Sequence, residues 1–404
     1  MADTTTRPAD TYSPLYFLAS LGAGGLAVTF FMYLMFWVPH EGRPVPTFED
    51  ISAAFATGGL PMQTAIIVAV LGIAFFTVLN VKSLIWNFGA LAAFKKTDRY
   101  AELRNSNAET TLLAAPLATA MTINAMFIVG LVFVPRLWNV IEYLFPLALI
   151  AFLGLGVWAF RTIGDFLGRV LTQGGVFDVT AHNSFAQLLP AFAISMVAVG
   201  LAAPAAMSGN TLTVGLSLVL STFFGFAAIT YTVVAAITAF NSMLHHGTAR
   251  ESGPTLMVIV PILTVLGIMF MRQTHGLHTS FGAEETDGET MVFLARLLTV
   301  QILFLLLGMV VLRRQGYFTD YVFGSKTSPG SYALVCPGVA LSVMLQFFIN
   351  KGLVAAGVIG EFGIAYWVLT GIALASQFAM IGLVLRLNRQ HFGKAPQRAT
   401  MPAE

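Results

Sequence analysis

Residues 331–348 read SYALVCPGVALSVMLQFF. The run is apolar and of the right length for a membrane crossing, because a hydrocarbon core of about 30 Å takes roughly 20 residues at about 1.5 Å rise each. It holds Cys336, the only cysteine in 404 residues, directly before Pro337. A proline inside a helix removes an N–H and clashes with the turn before it, so its place in this run needs a structural reason. The rest of the chain is similar in character: 57% hydrophobic, 10% charged, mean hydropathy +0.79. Soluble domains carry about 25% charged residues. One water-facing core cannot hide so much apolar surface, and the chain reads as an all-α polytopic membrane protein. A single cysteine excludes a disulfide framework and any multi-thiolate metal site.

Ten such runs follow one another, near 14–38, 61–93, 112–134, 138–160, 184–207, 211–244, 254–272, 289–312, 329–350 and 354–387. They make residues 1–404 one transmembrane domain, embedded over about 14–387, with polar tails at 1–13 and 388–404. The opening MADTTTRPADTYSP has no basic segment ahead of a short apolar run and is not a signal peptide. If the N-terminus is cytoplasmic, sixteen Lys and Arg lie on the cytoplasmic side and five on the other: Arg43, Arg136, Arg272, Arg296 and Lys351. The positive-inside rule then places both termini in the cytoplasm and the protein in the inner (plasma) membrane.

Four odd-numbered runs share a proline: Pro116 in LAAPLATAMTIN, Pro190 in QLLPAFAISMVAVG, Pro261 in VIVPILTVLGIMF and Pro337 in LVCPGVALSVMLQF. They are spaced by 74, 71 and 76 residues. Small or hydroxyl residues follow each one: Thr119 and Thr122, Ser195, Thr264, Ser342. The first run has SLGAGGLA in place of a proline, with Gly24 among its glycines. A two-helix unit repeated five times nearly fills the chain. Proline leaves a carbonyl without its usual donor, and a membrane tolerates that only where protein, hydroxyl or water satisfies it. Matched prolines in repeats point to a transport path. The odd helices are expected to be kinked and to face a common axis, and the even ones, richer in Leu, Val and Phe, to face lipid.

With APLATAMTIN, LLPAFAISMVAVG, PTLMVIVPILTVLGI and YALVCPGVALS in this order, the sequence resembles the tellurite-resistance/dicarboxylate transporter family, which includes the plant slow-type anion channels. The resemblance covers about residues 14–387. It implies five helical hairpins around a quasi-fivefold central pore, small inorganic or organic anions as substrates, and a homotrimer with one pore per subunit. Members typically block the pore with a phenylalanine just before a proline of the ninth helix. Here that slot reads Cys336-Pro337. Phe192 is a candidate replacement gate; Phe347 and Phe348 are weaker ones. The bland reading of Cys336, a small apolar packing residue, stays open.

No odd run carries Lys or Arg in mid-membrane, so anions are expected to meet backbone groups, hydroxyls and helix ends. Lys351 and Arg136 at the mouths would raise local anion concentration. Glu142 and Glu361 fall near helix ends and read as solvated or hydrogen-bonded acids rather than proton relays. Asp165 stands i, i+4 from Arg161 and Arg169, a local ion pair. Asn124 fits either the path or a packing contact, and Asn80 and Asn241 are further polar positions. His182, His245, His246, His275 and His278 all lie outside mid-membrane, against axial haem ligation. HGLHTSFGAEE lacks a strong metal-ligand spacing, and no phosphate-binding Gly-rich loop or nucleophile motif appears. The chain reads as neither an enzyme nor a pump, with no cofactor and no nucleic-acid partner. The alternative to anion transport is a membrane subunit of a redox or signalling complex.

Overall fold

The computed structural model describes residues 9–173, 178, 184–284 and 286–392; Arg7, His182, Lys394 and Arg398 lie outside them. Ten helical spans are long and apolar enough to cross a membrane. They are α1 (Pro14–Trp37), α2 (Leu60–Phe94), α3 (Asn107–Phe133), α4 (Leu137–Gln173), α5 (Phe185–Met207), α6 (Thr211–His246), α7 (Gly253–Phe281), α8 (Asp287–Arg314), α9 (Pro329–Val354) and α10 (Ile364–Phe392). No strand occurs among the described residues. This is the architecture of a multi-pass membrane protein, in which helices satisfy their own backbone polar groups.

Odd and even spans take different places. In the most apolar window of each, 94% of α5 is buried within the protein but only 22% of α8 and of α10. The even helices leave rows of large apolar side chains exposed at helical spacing, such as Leu71, Phe75 and Val78 on α2 and Leu303, Leu306 and Val310 on α8. Surfaces of that extent are stable in lipid and not in water. Each odd helix packs on its hairpin partner. In addition α1 packs on α3, α3 on α5, α5 on α7, α7 on α9 and α9 on α1. Small residues allow the close approach: a Cβ on Gly200 of α5 would meet the Phe152 ring of α4 at 2.3 Å, and one on Gly72 of α2 would meet Phe30 of α1 at 2.4 Å.

The four repeated prolines do not kink helices in mid-membrane. Every odd span opens with a 3₁₀ turn, at Pro14–Tyr16, Asn107–Leu113, Phe185–Leu188, Gly253–Met257 and Pro329–Leu334, and then turns α-helical. Pro116, Pro190, Pro261 and Pro337 stand second or third in the α-helical parts. In a first turn the missing N–H costs little. At Pro190 the carbonyl four residues back, that of Ala186, accepts instead from the Leu189 N–H in the 3₁₀ register. A serine precedes each turn. Ser13, Ser106, Ser184 and Ser328 each accept, at 3.3 Å, the N–H two residues on. Ser252 uses its backbone carbonyl, which takes Thr255 N–H at 3.0 Å and Thr255 Oγ1 at 2.6 Å. The five turns pack each against the next and the last against the first.

Side chains of the even helices tie down the odd backbones. Asn80 of α2 donates to the Ser20 carbonyl at 2.8 Å, and Ser376 of α10 donates to that of Gly338 at 2.8 Å. Gln301 of α8 donates to the Val260 carbonyl at 2.9 Å and to Thr264 Oγ1 at 2.7 Å. Such bonds contribute about 0.6 kcal/mol each in a membrane. Asn80 is thus a packing residue, and Asn241 is exposed.

Helix α7 continues to Phe281, beyond the expected end at 272. Its polar stretch stays helical because Gln273 donates to Ser221 Oγ at 2.8 Å and Thr222 Oγ1 at 3.0 Å on α6 rather than to solvent. Gly276 there faces the carbonyl of Ala205, which a Cβ would approach to 2.4 Å. A Gly276→Ala change should lower stability by about 1–3 kcal/mol, because backbone cannot yield as a side chain does. Gly164→Ala on exposed α4, where a Cβ meets nothing within 4 Å, should be neutral or stabilising. Thermal unfolding of both variants in detergent checks the contrast.

Candidate functional site

All five odd helices contribute to one cavity of about 430 Å³. Its wall runs along α1 from Leu21 to Met35 and along α9 from Cys336 to Lys351. Thirteen or more residues of helix at about 1.5 Å each make it on the order of 20 Å long. Cys336, Phe192 and Pro261 mark one end. Past that end the buried Tyr16, Leu113, Leu188, Leu256 and Tyr332 of the 3₁₀ turns fill the bundle. The other end reaches Pro44 and Val45 of the α1–α2 connection, His275, and Asp287 and Thr290 at the start of α8.

Of the residues singled out from sequence, Cys336, Phe192, Pro261, Thr264, Asn124, Phe347 and Lys351 line this cavity. Asn124 donates to the Met196 sulfur at 3.6 Å. Pro116, Pro190, Pro337, Thr119, Thr122, Ser195, Ser342, Gly24 and Phe348 are not in its wall. The hydroxyls have local work. Thr119 and Thr122 donate to carbonyls four residues back at 2.9 and 3.0 Å, and Ser195 donates to that of Phe192 at 2.8 Å. Gly24 sits where α1 meets its neighbours: a Cβ there would touch Met121 at 2.8 Å and Asn80 at 2.9 Å. Gly22 and Gly25 are the ones that face the cavity.

Arg272 was placed by sequence at a membrane boundary. With α7 extended to Phe281 it stands nine residues inside the helix end, half-buried, and lines the cavity. Its Nη1 donates to the Val199 carbonyl of α5 at 2.7 Å. A hydropathy count cannot find it, because the signal is the hydrogen-bonding of Gln273 that keeps the helix going. Lys351 is carried on a π-helical turn, Phe348–Val354, that widens the end of α9; such turns often mark functional positions.

Other charged groups are structural. Glu142 accepts from Ser208 Oγ at 2.7 Å and Gly209 N–H at 2.6 Å, closing the α5–α6 connection against the start of α4. Glu361 is exposed. Arg169 pairs with Glu109, not with Asp165. Glu109, 1% exposed, also takes Arg104 at 3.0 Å, and Arg104 reaches Asp165 at 3.8 Å. A buried carboxylate needs such partners, and the partner on α4 lies sixty residues away in sequence. Among the described residues no three His, Cys, Asp or Glu side chains group to hold a metal.

The α1–α2 connection covers the mouth and is tied down by acids. Thr47 and Asp50 form a capping box at the start of the short helix Phe48–Thr57, and Arg43 pairs with Asp50. The Arg136 N–H donates to Glu49 Oε1 at 2.6 Å and holds that carboxyl below the usual range. Arg136 itself has φ 59°, an uncommon conformation for a side-chain-bearing residue.

No family model matches this chain, and neither does any curated protein or solved structure.

A carboxyl with a lowered folded pKa adds stability above its unfolded pKa and loses it as pH falls through the folded one. The Glu49 tether should therefore hold at neutral pH and loosen only as pH falls below the ordinary range of a glutamate carboxyl. Hydrogen exchange, corrected for intrinsic rates, should show residues 38–59 losing protection on acidification. Glu49→Gln should exchange faster at neutral pH with a flatter pH profile.

Proposed function

We propose that this chain moves small anions across a membrane, as a channel or a secondary transporter. One observation carries the reading: five alternate helices, each opening with a 3₁₀ turn preceded by serine, all line a single cavity, to which their more exposed partners add only Ile141, Phe152, Asp287 and Thr290. A subunit that only anchors a partner has no need of a path built from every repeat. The path is taken as a quasi-fivefold pore between the odd helices, closed at the level of Cys336 and Phe192. The anion class follows from charge. Arg272 and Lys351 face the cavity against one described carboxylate, Asp287, and fixed positive charge in a low-dielectric cleft concentrates anions. Weak contacts along the remaining wall suit release.

The motif resemblance supports the same assignment, with chloride, nitrate, sulfite, tellurite or dicarboxylates as the range of cargo and a homotrimer as the assembly. The Lys and Arg bias favours an inner (plasma) membrane location with both termini cytoplasmic.

Purified protein in liposomes should pass small anions. Cys336→Phe should reduce the flux on the order of tenfold, since an aromatic ring at the cavity's inner end narrows and dewets it. Unchanged flux in the variant would remove Cys336 from the gate. Absence of flux for every small anion would overturn the transport reading in favour of a partner-bound membrane subunit.

A further inference from the structure

We infer that Arg272 is the docking point for the carboxylate of an organic monoanion whose hydrocarbon body lies along the apolar wall of the cavity. The inference deepens the transport reading by naming a ligand class, and it rests on that reading for its physiological meaning.

Three observations carry it. First, Arg272 faces the cavity with most of its donors uncommitted. A guanidinium has five N–H groups, and one bond is made, to the Val199 carbonyl at 2.7 Å. None of the ion pairs among the described residues includes Arg272. A half-buried guanidinium without a carboxylate is costly unless something supplies one. Second, its planar fork matches a two-oxygen anion and gives a spherical halide no such fit. Third, the wall of the cavity is largely apolar along its length: Phe31, Met32, Phe127, Ile128, Val339 and Val343 line it together with Arg272. A hydrocarbon body gains there by burial. A second carboxylate lying on that wall would lose hydration with no partner. The cavity, about 430 Å³, falls within the range of small-molecule sites.

Arg272 also has a structural duty. The α-helical part of α5 ends at Leu201, and two of its last carbonyls are taken by side chains, Val199 by Arg272 and Leu201 by Ser217 Oγ at 2.5 Å. One donor suffices for that bond. Lysine keeps a donor and the charge but lacks the planar fork, so Arg272→Lys separates the two duties.

Calorimetric titration of detergent-purified protein with acetate, butyrate, hexanoate, succinate and chloride tests the inference without requiring transport. Affinity should rise about fourfold per added CH₂ from acetate to hexanoate. Butyrate should bind more tightly than succinate or chloride. Arg272→Lys should weaken the carboxylates about ten- to a hundredfold and chloride little, with the melting temperature near that of the wild type. If Arg272→Gln fails to fold, the chain-length series and the lysine variant still decide. A flat series, succinate or chloride at least as tight as butyrate, or equal loss for carboxylates and chloride in Arg272→Lys would each overturn the docking assignment. Chain-length-dependent binding without flux would leave the site standing and sink transport; flux of chloride without carboxylate binding would do the reverse.

Discussion

In hydrocarbon every backbone N–H and C=O must find a partner inside the protein, and this requirement explains how the odd helices begin. A helix start leaves four N–H groups without intrahelical acceptors. Here serine, a 3₁₀ turn and a proline, Pro14 in the first span and the repeated prolines in the other four, dispose of them in a few residues. In four of the turns serine takes the N–H two positions on, the 3₁₀ register uses carbonyls that an α-helix would leave to the proline position, and proline has no N–H to satisfy. A helix begun this way needs no water at its end, so five of them can bring their starts together and pack turn against turn.

The bundle above those turns depends on the same accounting. Asn80, Gln301 and Ser376 come from the lipid-facing helices and bond to the backbone of the inner ones. Their polar groups stay out of the cavity wall, and so do most threonine and serine hydroxyls of the inner helices, which bond to their own turns. The wall is left apolar apart from a few groups, and charge is concentrated where the cavity approaches the loops. A cation in such a setting acts over a longer range than one in water, which is why Arg272 and Lys351 weigh more than their number.

The loops at the mouth are built with more order than their polarity implies. The capping box at Thr47 and Asp50, the Arg43 pair and the Glu49 bond to Arg136 fix the α1–α2 connection beside the cavity through Pro44 and Val45. At the other end of the molecule Lys326 donates to Asp320 at 2.7 Å and holds its carboxyl below the usual range, while Arg250 bonds the same oxygen at 2.9 Å. Both ends are thus fixed by carboxylates, and the membrane part by packing and neutral hydrogen bonds.

By itself the sequence marked ten helices long and apolar enough to cross a membrane, because bilayer thickness sets the length of an apolar run, and its proline pattern pointed to the odd-numbered ones as the more buried. The proline period was equally legible, as was Cys336 beside the repeat. Its meaning was not: a proline at a helix start and one at a kink look alike until the preceding turn is known to be 3₁₀, which is set by packing among five distant segments. Only the tertiary structure decided that Thr119, Thr122 and Ser195 serve their own helices, that Glu109 finds Arg169 across sixty residues, and that Arg272 faces the cavity. The last two depend on a neighbour brought from another span, and the first on which way each hydroxyl turns once the inner helices are packed. Hydrophobic periodicity encodes how far a chain goes into the membrane but not which polar atom meets which once it is there.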